Sequence, residues 1–248
     1  MAVGDLTRHF GPQLVALLAD RLESGASRAS LSDCFQRSSF EAVTGELEGR
    51  PLMQRVRTIA EALHRSLRAE GEQALLIMRH SLPEPLSADD QVFNDGYWIL
   101  PLAAYWEERL EATATEWRVG LDALEHLTQR GTAEFAVRRF VAEDPAAMLA
   151  RLVDWVSHAS FHVRRLASEG TRPYLPWAGR LRVQRTQALQ FLDAVSPLAF
   201  DPSPYVRRSV GNHVRDWRRI DPSVSDAWIA ETDPPADVLK LALPKKGR

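Results

Sequence analysis

The most constraining feature of this sequence is a repeat. Phe161-His162-Val163-Arg164-Arg165 returns 43 residues later as Pro204-Tyr205-Val206-Arg207-Arg208. Each copy follows an apolar segment of helical spacing: Met148, Leu149, Leu152, Val153 and Val156 before the first, and Leu189, Phe191, Leu192 and Val195 before the second. That period suits a HEAT-type helix pair, which buries its apolar face only by stacking on neighbouring pairs. A partial copy, Ala136-Val137-Arg138-Arg139, lies 26 residues before the first, so the spacing is irregular.

The rest of the chain has the same helical character. Phe10, Leu14, Leu17, Leu18 and Leu22 recur at three- and four-residue steps, as do Val56, Ile59, Ala60, Leu63 and Leu67, which predicts amphipathic helices over 10–22 and 53–67. Further helices are expected near 72–80, 97–110, 117–128, 133–141, 146–157 and 161–168, and no segment alternates as a strand does. Leu82-Pro83-Glu84-Pro85, Arg172-Pro173, Leu175-Pro176, Asp201-Pro202-Ser203-Pro204 and Asp221-Pro222 each exclude a continuous helix. The expected architecture is an all-α, HEAT-like solenoid of stacked antiparallel helix pairs. It forms one domain over 1–243, with a basic tail, 244–248, expected to be disordered.

Composition excludes several classes. One cysteine, Cys34, allows no internal disulfide, no secretory signal opens the sequence, and the apolar run 97–106 contains Pro101 and is too short for a membrane span. A cytoplasmic monomer without membrane contact is expected. The net charge of −2 hides an asymmetry: residues 160–220 carry eleven arginines, no lysine and four acidic residues, an excess of seven positive charges. Arginine forks suit phosphate oxygens better than point charges do. Repeated arginines on successive helix pairs would line a concave basic face, although a charge run alone is more often a solvated surface.

Three strings carry a family resemblance. His126-Leu127-Thr128-Gln129-Arg130 leads into Ala133-Glu134-Phe135-Ala136; HVRRLASEGTRPYLPWA spans 162–178; SPYVRRSVGNHVRDW spans 203–217. In this order, over roughly 120–225, the chain resembles the bacterial DNA alkylation repair glycosylases of the AlkC/AlkD superfamily, and AlkC more closely. The resemblance implies a HEAT-like fold, a concave face for double-stranded DNA, and hydrolysis of the N-glycosidic bond of cationic N3- or N7-alkylated bases of the 3-methyladenine type. Gly211-Asn212-His213 departs from the AlkD pattern, and Gly131 and Arg139 are unusual for AlkC.

A cationic base leaves as a neutral molecule and needs little acid assistance. The reaction needs negative charge near an oxocarbenium-like sugar and a positioned water. By similarity these roles fall to Glu134, Glu169 and Asp216, with Asp216 first for water activation. Ordinary helix pairing is the competing reading, since Glu134 and Arg138, and Arg165 and Glu169, are four residues apart, and Asp216 and Arg219 three. The resemblance places Trp177 against the lesion, where an aromatic face favours a cation. It places Arg164, Arg165, Arg172, Arg207, Arg208 and Arg215 on the phosphate backbone. Successive helical side chains turn by about 100°, so one arginine of each adjacent pair is expected to tie neighbouring repeats to acidic partners instead. His162 and His213 come without metal-ligand spacing, and no cofactor or metal is expected. The alternative function is a noncatalytic HEAT-like protein that binds damaged or branched DNA.

Overall fold

A computed structural model describes residues 3–87, 95–110, 114–176 and 178–243. Trp177 and the tail 244–248, both singled out above, lie outside the described residues.

The regular elements among the described residues are helices, short 3-10 turns, an isolated bridge between Phe35 and Leu67, and one two-stranded hairpin. The helices are α1 (Val3–His9), α2 (Pro12–Arg28), α3 (Arg37–Glu41), α4 (Leu52–Ser66), α5 (Gly71–Ser81), α6 (Leu100–Arg109), α7 (Ala114–Thr128), α8 (Glu134–Glu143), α9 (Pro145–Val156), α10 (Phe161–Gly170), α11 (Arg185–Val195), α12 (Pro204–Ile220), α13 (Pro222–Thr232) and α14 (Ala236–Ala242). Contacts divide the chain into two compact units, 1–136 and 137–248, with the division inside α8.

In the first unit α2 packs on α5, α4 on α6, and α7 on both α5 and α6. The apolar stripes read from the sequence form its core: Leu14, Leu18 and Leu22, and Val56, Ile59, Ala60 and Leu63, are all essentially inaccessible. Trp98 and Trp106 are buried as well. Gly131, a departure from the family pattern, has a local reason. A Cβ there would lie 2.4 Å from the Gly96 carbonyl oxygen and 2.7 Å from Ile99 Cβ.

The prolines act as stops and starts. Pro145, Pro204 and Pro222 each open a helix, where a missing N–H costs nothing and the fixed φ is already helical. Asp144 and Asp221 cap two of these, accepting from the Ala147 N–H at 2.9 Å and the Ser223 N–H at 3.0 Å. In the second unit α9 packs on α10 and α11, α10 on α12, and α12 on α13 and α14, so the two copies of the repeated string, α10 and α12, lie side by side. The hairpin, β1 (Tyr174–Leu175) against β2 (Gly179–Arg180), is antiparallel. No alternation announced it, because two-residue strands are too short to carry a pattern.

The periodicity of α12 gives it distinct faces. Val206, Val210, Val214 and Trp217 enter the core, while Ser209, His213 and Asp216 form a buried polar strip beside them. Gly211 lets α14 approach closely: a Cβ at 211 would lie 2.8 Å from Leu241 Cβ and 3.1 Å from the Val238 carbonyl oxygen. Gly211→Ala is expected to destabilise the protein by about 1–3 kcal/mol despite alanine's better helix propensity, read as a lower midpoint in urea.

Candidate active site and nucleic-acid interface

Arg172 is the centre of a buried ion cluster in the second unit. Its Nη1 donates to Glu169 Oε1 at 2.5 Å and its Nε to Asp216 Oδ2 at 2.9 Å. Arg172, Glu169 and Asp216 are 4%, 6% and 1% exposed, so the cluster is shielded from bulk water. Glu169 ends α10 and Asp216 lies in the last turns of α12. The side-by-side packing of the two repeats is what brings these carboxylates onto one guanidinium.

The carboxylates are not equivalent. Glu169 Oε2 accepts from Ser209 Oγ at 2.6 Å, so both of its oxygens have donors. Burial works against its charge, but Arg165 and Arg172, with the Ser209 hydroxyl, outweigh this and hold its pKa below the usual range. Asp216 Oδ1 is buried with no hydrogen-bond partner among the described residues, and Arg219 comes only to 3.9 Å of it. Burial therefore prevails over Arg172 and raises the Asp216 pKa. For Arg172, burial is outweighed by Glu169 and Asp216, and its pKa rises.

Arg138, on α8, holds the backbone beside this cluster. Its Nη1 donates to the Arg172 carbonyl at 2.8 Å, and its Nη2 to the Gly179 carbonyl at 3.0 Å. Burial, then the neighbouring Arg172 charge, lower its pKa to about 10. His213 is wholly buried on the polar strip of α12. Burial and Arg172 lower its pKa to about 3, which favours the neutral imidazole. Glu134, the third candidate carboxylate, opens α8 in the first unit and is buried there, 6% exposed.

Three of the six arginines assigned to the phosphate backbone are committed elsewhere. Arg172 is inside the ion cluster. Arg164 places a fork on Asp201, at 2.5 and 3.0 Å, and its Nη1 reaches the His158 and Ala159 carbonyls. Arg207 does the same one repeat later, with Nε on Asp237 at 2.7 Å and Nη1 on the Asp201 and Pro202 carbonyls. The first arginine of each pair thus ties its helix to the preceding turn and to an aspartate farther along, the role expected of one member. Arg165 lies 4.6 Å over the Tyr205 ring and 3.9 Å from Glu169, largely covered.

Arg208 and Arg215 lie on one stripe of α12, to which the structure adds three residues that were not singled out as binding residues in the sequence, Tyr205, Asn212 and Arg219. Tyr205, Arg208, Asn212, Arg215 and Arg219 follow one another on α12 at alternating three- and four-residue steps, within about 80° of helical arc. Arg208 is exposed and makes no ion pair among the described residues. The Arg219 side chain is 65% exposed. Arg215 is half-buried, and burial together with the nearby Arg219 lowers its pKa. The same periodicity that located the core would have located this stripe. It borders the strip that carries Ser209 and Asp216.

Among the described residues no cluster of histidine, cysteine and carboxylate side chains has the arrangement of a metal site, and no helix is long and apolar enough to cross a membrane.

No family model matches the chain. A curated relative, the uncharacterized protein YhaZ of Bacillus subtilis (strain 168), is 34% identical over 256 residues, covering 99% of this chain and 66% of that protein. Among solved structures, the Pseudomonas fluorescens alkylpurine DNA glycosylase AlkC, bound to DNA containing an abasic site analog, superposes with a TM-score of 0.78 at 28% identity, covering 96% of this chain and 63% of that one. The chain spans just under two thirds of the length of each. Its helical fold and its similarity along nearly the whole sequence agree with the resemblance carried by the three strings: over almost its full length the chain is similar to AlkC in both fold and sequence.

Proposed function

We propose that this protein is a DNA glycosylase of alkylation repair, which binds double-stranded DNA and hydrolyses the N-glycosidic bond of cationic N3- or N7-alkylated bases. The observation that carries the reading is the placement of two carboxylates, Glu169 and Asp216, on Arg172 beside an open basic stripe. The solved AlkC complex with abasic DNA supports it.

In this mechanism Glu169, saturated with donors, supplies fixed negative charge to the oxocarbenium-like sugar, and Asp216 Oδ1 accepts a proton from the attacking water. A carboxylate about 4 Å from a unit positive charge contributes on the order of 4 kcal/mol at an effective dielectric of 20, close to a thousandfold in rate. Glu134 is proposed as a further contributor of negative charge and Trp177 as the aromatic contact to the lesion. Arg208 and Arg215 hold backbone phosphates, and the reaction takes place without a cofactor, in a cytoplasmic monomer.

A second reading, DNA binding without chemistry, is favoured by one observation: both carboxylates are buried on Arg172, as a purely structural ion cluster would be. Release of methylated bases from duplex DNA treated with a methylating agent separates the two. Release supports the glycosylase; retained, salt-sensitive binding without release supports the second reading. In either case Arg208→Ala is expected to weaken binding across sequences and to reduce the slope of log affinity against log salt by about one, measured by fluorescence anisotropy.

A further inference from the structure

Resting on the glycosylase reading, we propose that Ser209 is a positioning residue for the reaction: its hydroxyl, supported by Ser168, orients the Glu169 carboxylate and keeps it ionised, which leaves Asp216 as the proton acceptor.

Ser209 Oγ lies 2.6 Å from Glu169 Oε2 and 3.0 Å from Ser168 Oγ. A serine has one hydroxyl proton. The shorter contact, to the charged acceptor, takes it, so Ser168 donates to Ser209. Ser168 and Ser209 are 0% and 2% exposed, so neither hydroxyl can turn to solvent. Glu169 then has Arg172 on Oε1 and Ser209 on Oε2, and its plane is fixed. Asp216, two turns farther along the same face of α12, has one oxygen on Arg172 and the other without a donor.

The surroundings agree with this division. The charged and titratable groups facing Glu169 are Arg165 on its own helix, Arg172 in the following turn, Arg138 on α8, and His213, Arg215 and Asp216 on α12. Of these Arg172 donates to the carboxylate at 2.5 Å, while Arg165 comes to 3.9 Å of it. Removing the Ser209 hydroxyl leaves Oε2 buried without its donor, which favours the protonated form. Glu169 then loses its proton at a higher pH than in the wild type, closer to Asp216.

The test compares wild type with Ser209→Ala and Ser168→Ala, with melting curves confirming that each variant is folded. Single-turnover base release from methylated duplex DNA is followed from acid to neutral pH, and binding is measured on a duplex containing an abasic-site analogue. The wild-type rate is expected to fall at the acid side with the loss of one ionised group. In Ser209→Ala the fall becomes a two-proton transition and moves up by about one pH unit, with binding to the abasic duplex unchanged; Ser168→Ala shifts it less. A Ser209→Ala enzyme with the wild-type rate and a one-proton profile overturns the proposal. Carbon NMR titration of the Glu169 carboxyl provides a readout independent of turnover. If wild type releases no base yet the Glu169 titration moves up in Ser209→Ala, the glycosylase reading fails and the hydroxyl's hold on Glu169 stands. If that titration does not move, the hold is refuted whatever the activity.

Discussion

Asp216→Asn is expected to reduce base release by about a hundred- to a thousandfold while leaving binding to abasic duplex DNA within a few-fold of wild type. The substitution keeps the shape of the side chain and removes the negative charge and the basic oxygen, Oδ1, that has no hydrogen-bond partner among the described residues. Stability is expected to move the other way. Burial raises the Asp216 pKa, so this group favours folding only in its protonated form, and that contribution is lost as pH rises through the folded value. At neutral pH the ionised carboxylate opposes folding, and the asparagine variant should melt at the same temperature or higher, as expected where stability is given up for function. The same shift places the acid limb of wild-type activity above the ordinary aspartate range. Single-turnover assays and calorimetry on one preparation check both halves. Full activity in Asp216→Asn would remove Asp216 from the reaction.

Arg172→Met is the second large effect, and it is expected first in stability. The arginine holds two buried carboxylates from different helices. Removing it leaves two buried negative charges near each other with their shared counterion gone. Breaking a buried pair by deleting one partner costs about 3–5 kcal/mol, or on the order of 10 °C in melting temperature for a protein of this size. A phosphate-contacting arginine would behave differently: its loss would weaken DNA binding and the salt slope and leave melting nearly unchanged. The pair Arg172→Met and Arg208→Ala therefore separates the two kinds of arginine, and an Arg172→Met protein that melts like wild type would refute the central place given to the cluster.

Much of the fold was legible because it depends on periodicity and punctuation, which are local. The stripes of α2 and α4, the proline-marked breaks before α12 and α13, and the 43-residue repeat all lie on the surface of the sequence. The hairpin at 174–180 was not legible, since nothing in its residues alternates. Within the site, the string match named Glu169 and Asp216 but left the choice between helix pairing and convergence open. Convergence depends on the crossing of α10 and α12, a tertiary property. For Arg164, Arg172 and Arg207 the sign of the charge was informative and its destination was not. An arginine aimed at a carbonyl and one aimed at solvent look the same until the aspartates 201 and 237 take their places.

The manner in which Arg138 holds the 172–180 hairpin bears on how such a protein diversifies. The guanidinium binds main-chain oxygens of Arg172 and Gly179, groups that every residue possesses, so the grip does not depend on which side chains the hairpin presents. Tyr174, exposed on β1, can be replaced without releasing the hairpin from its anchor. Such a loop can accumulate mutations that change what it displays while its location is inherited intact, an arrangement under which new preferences can arise in a lineage without a fresh solution to folding.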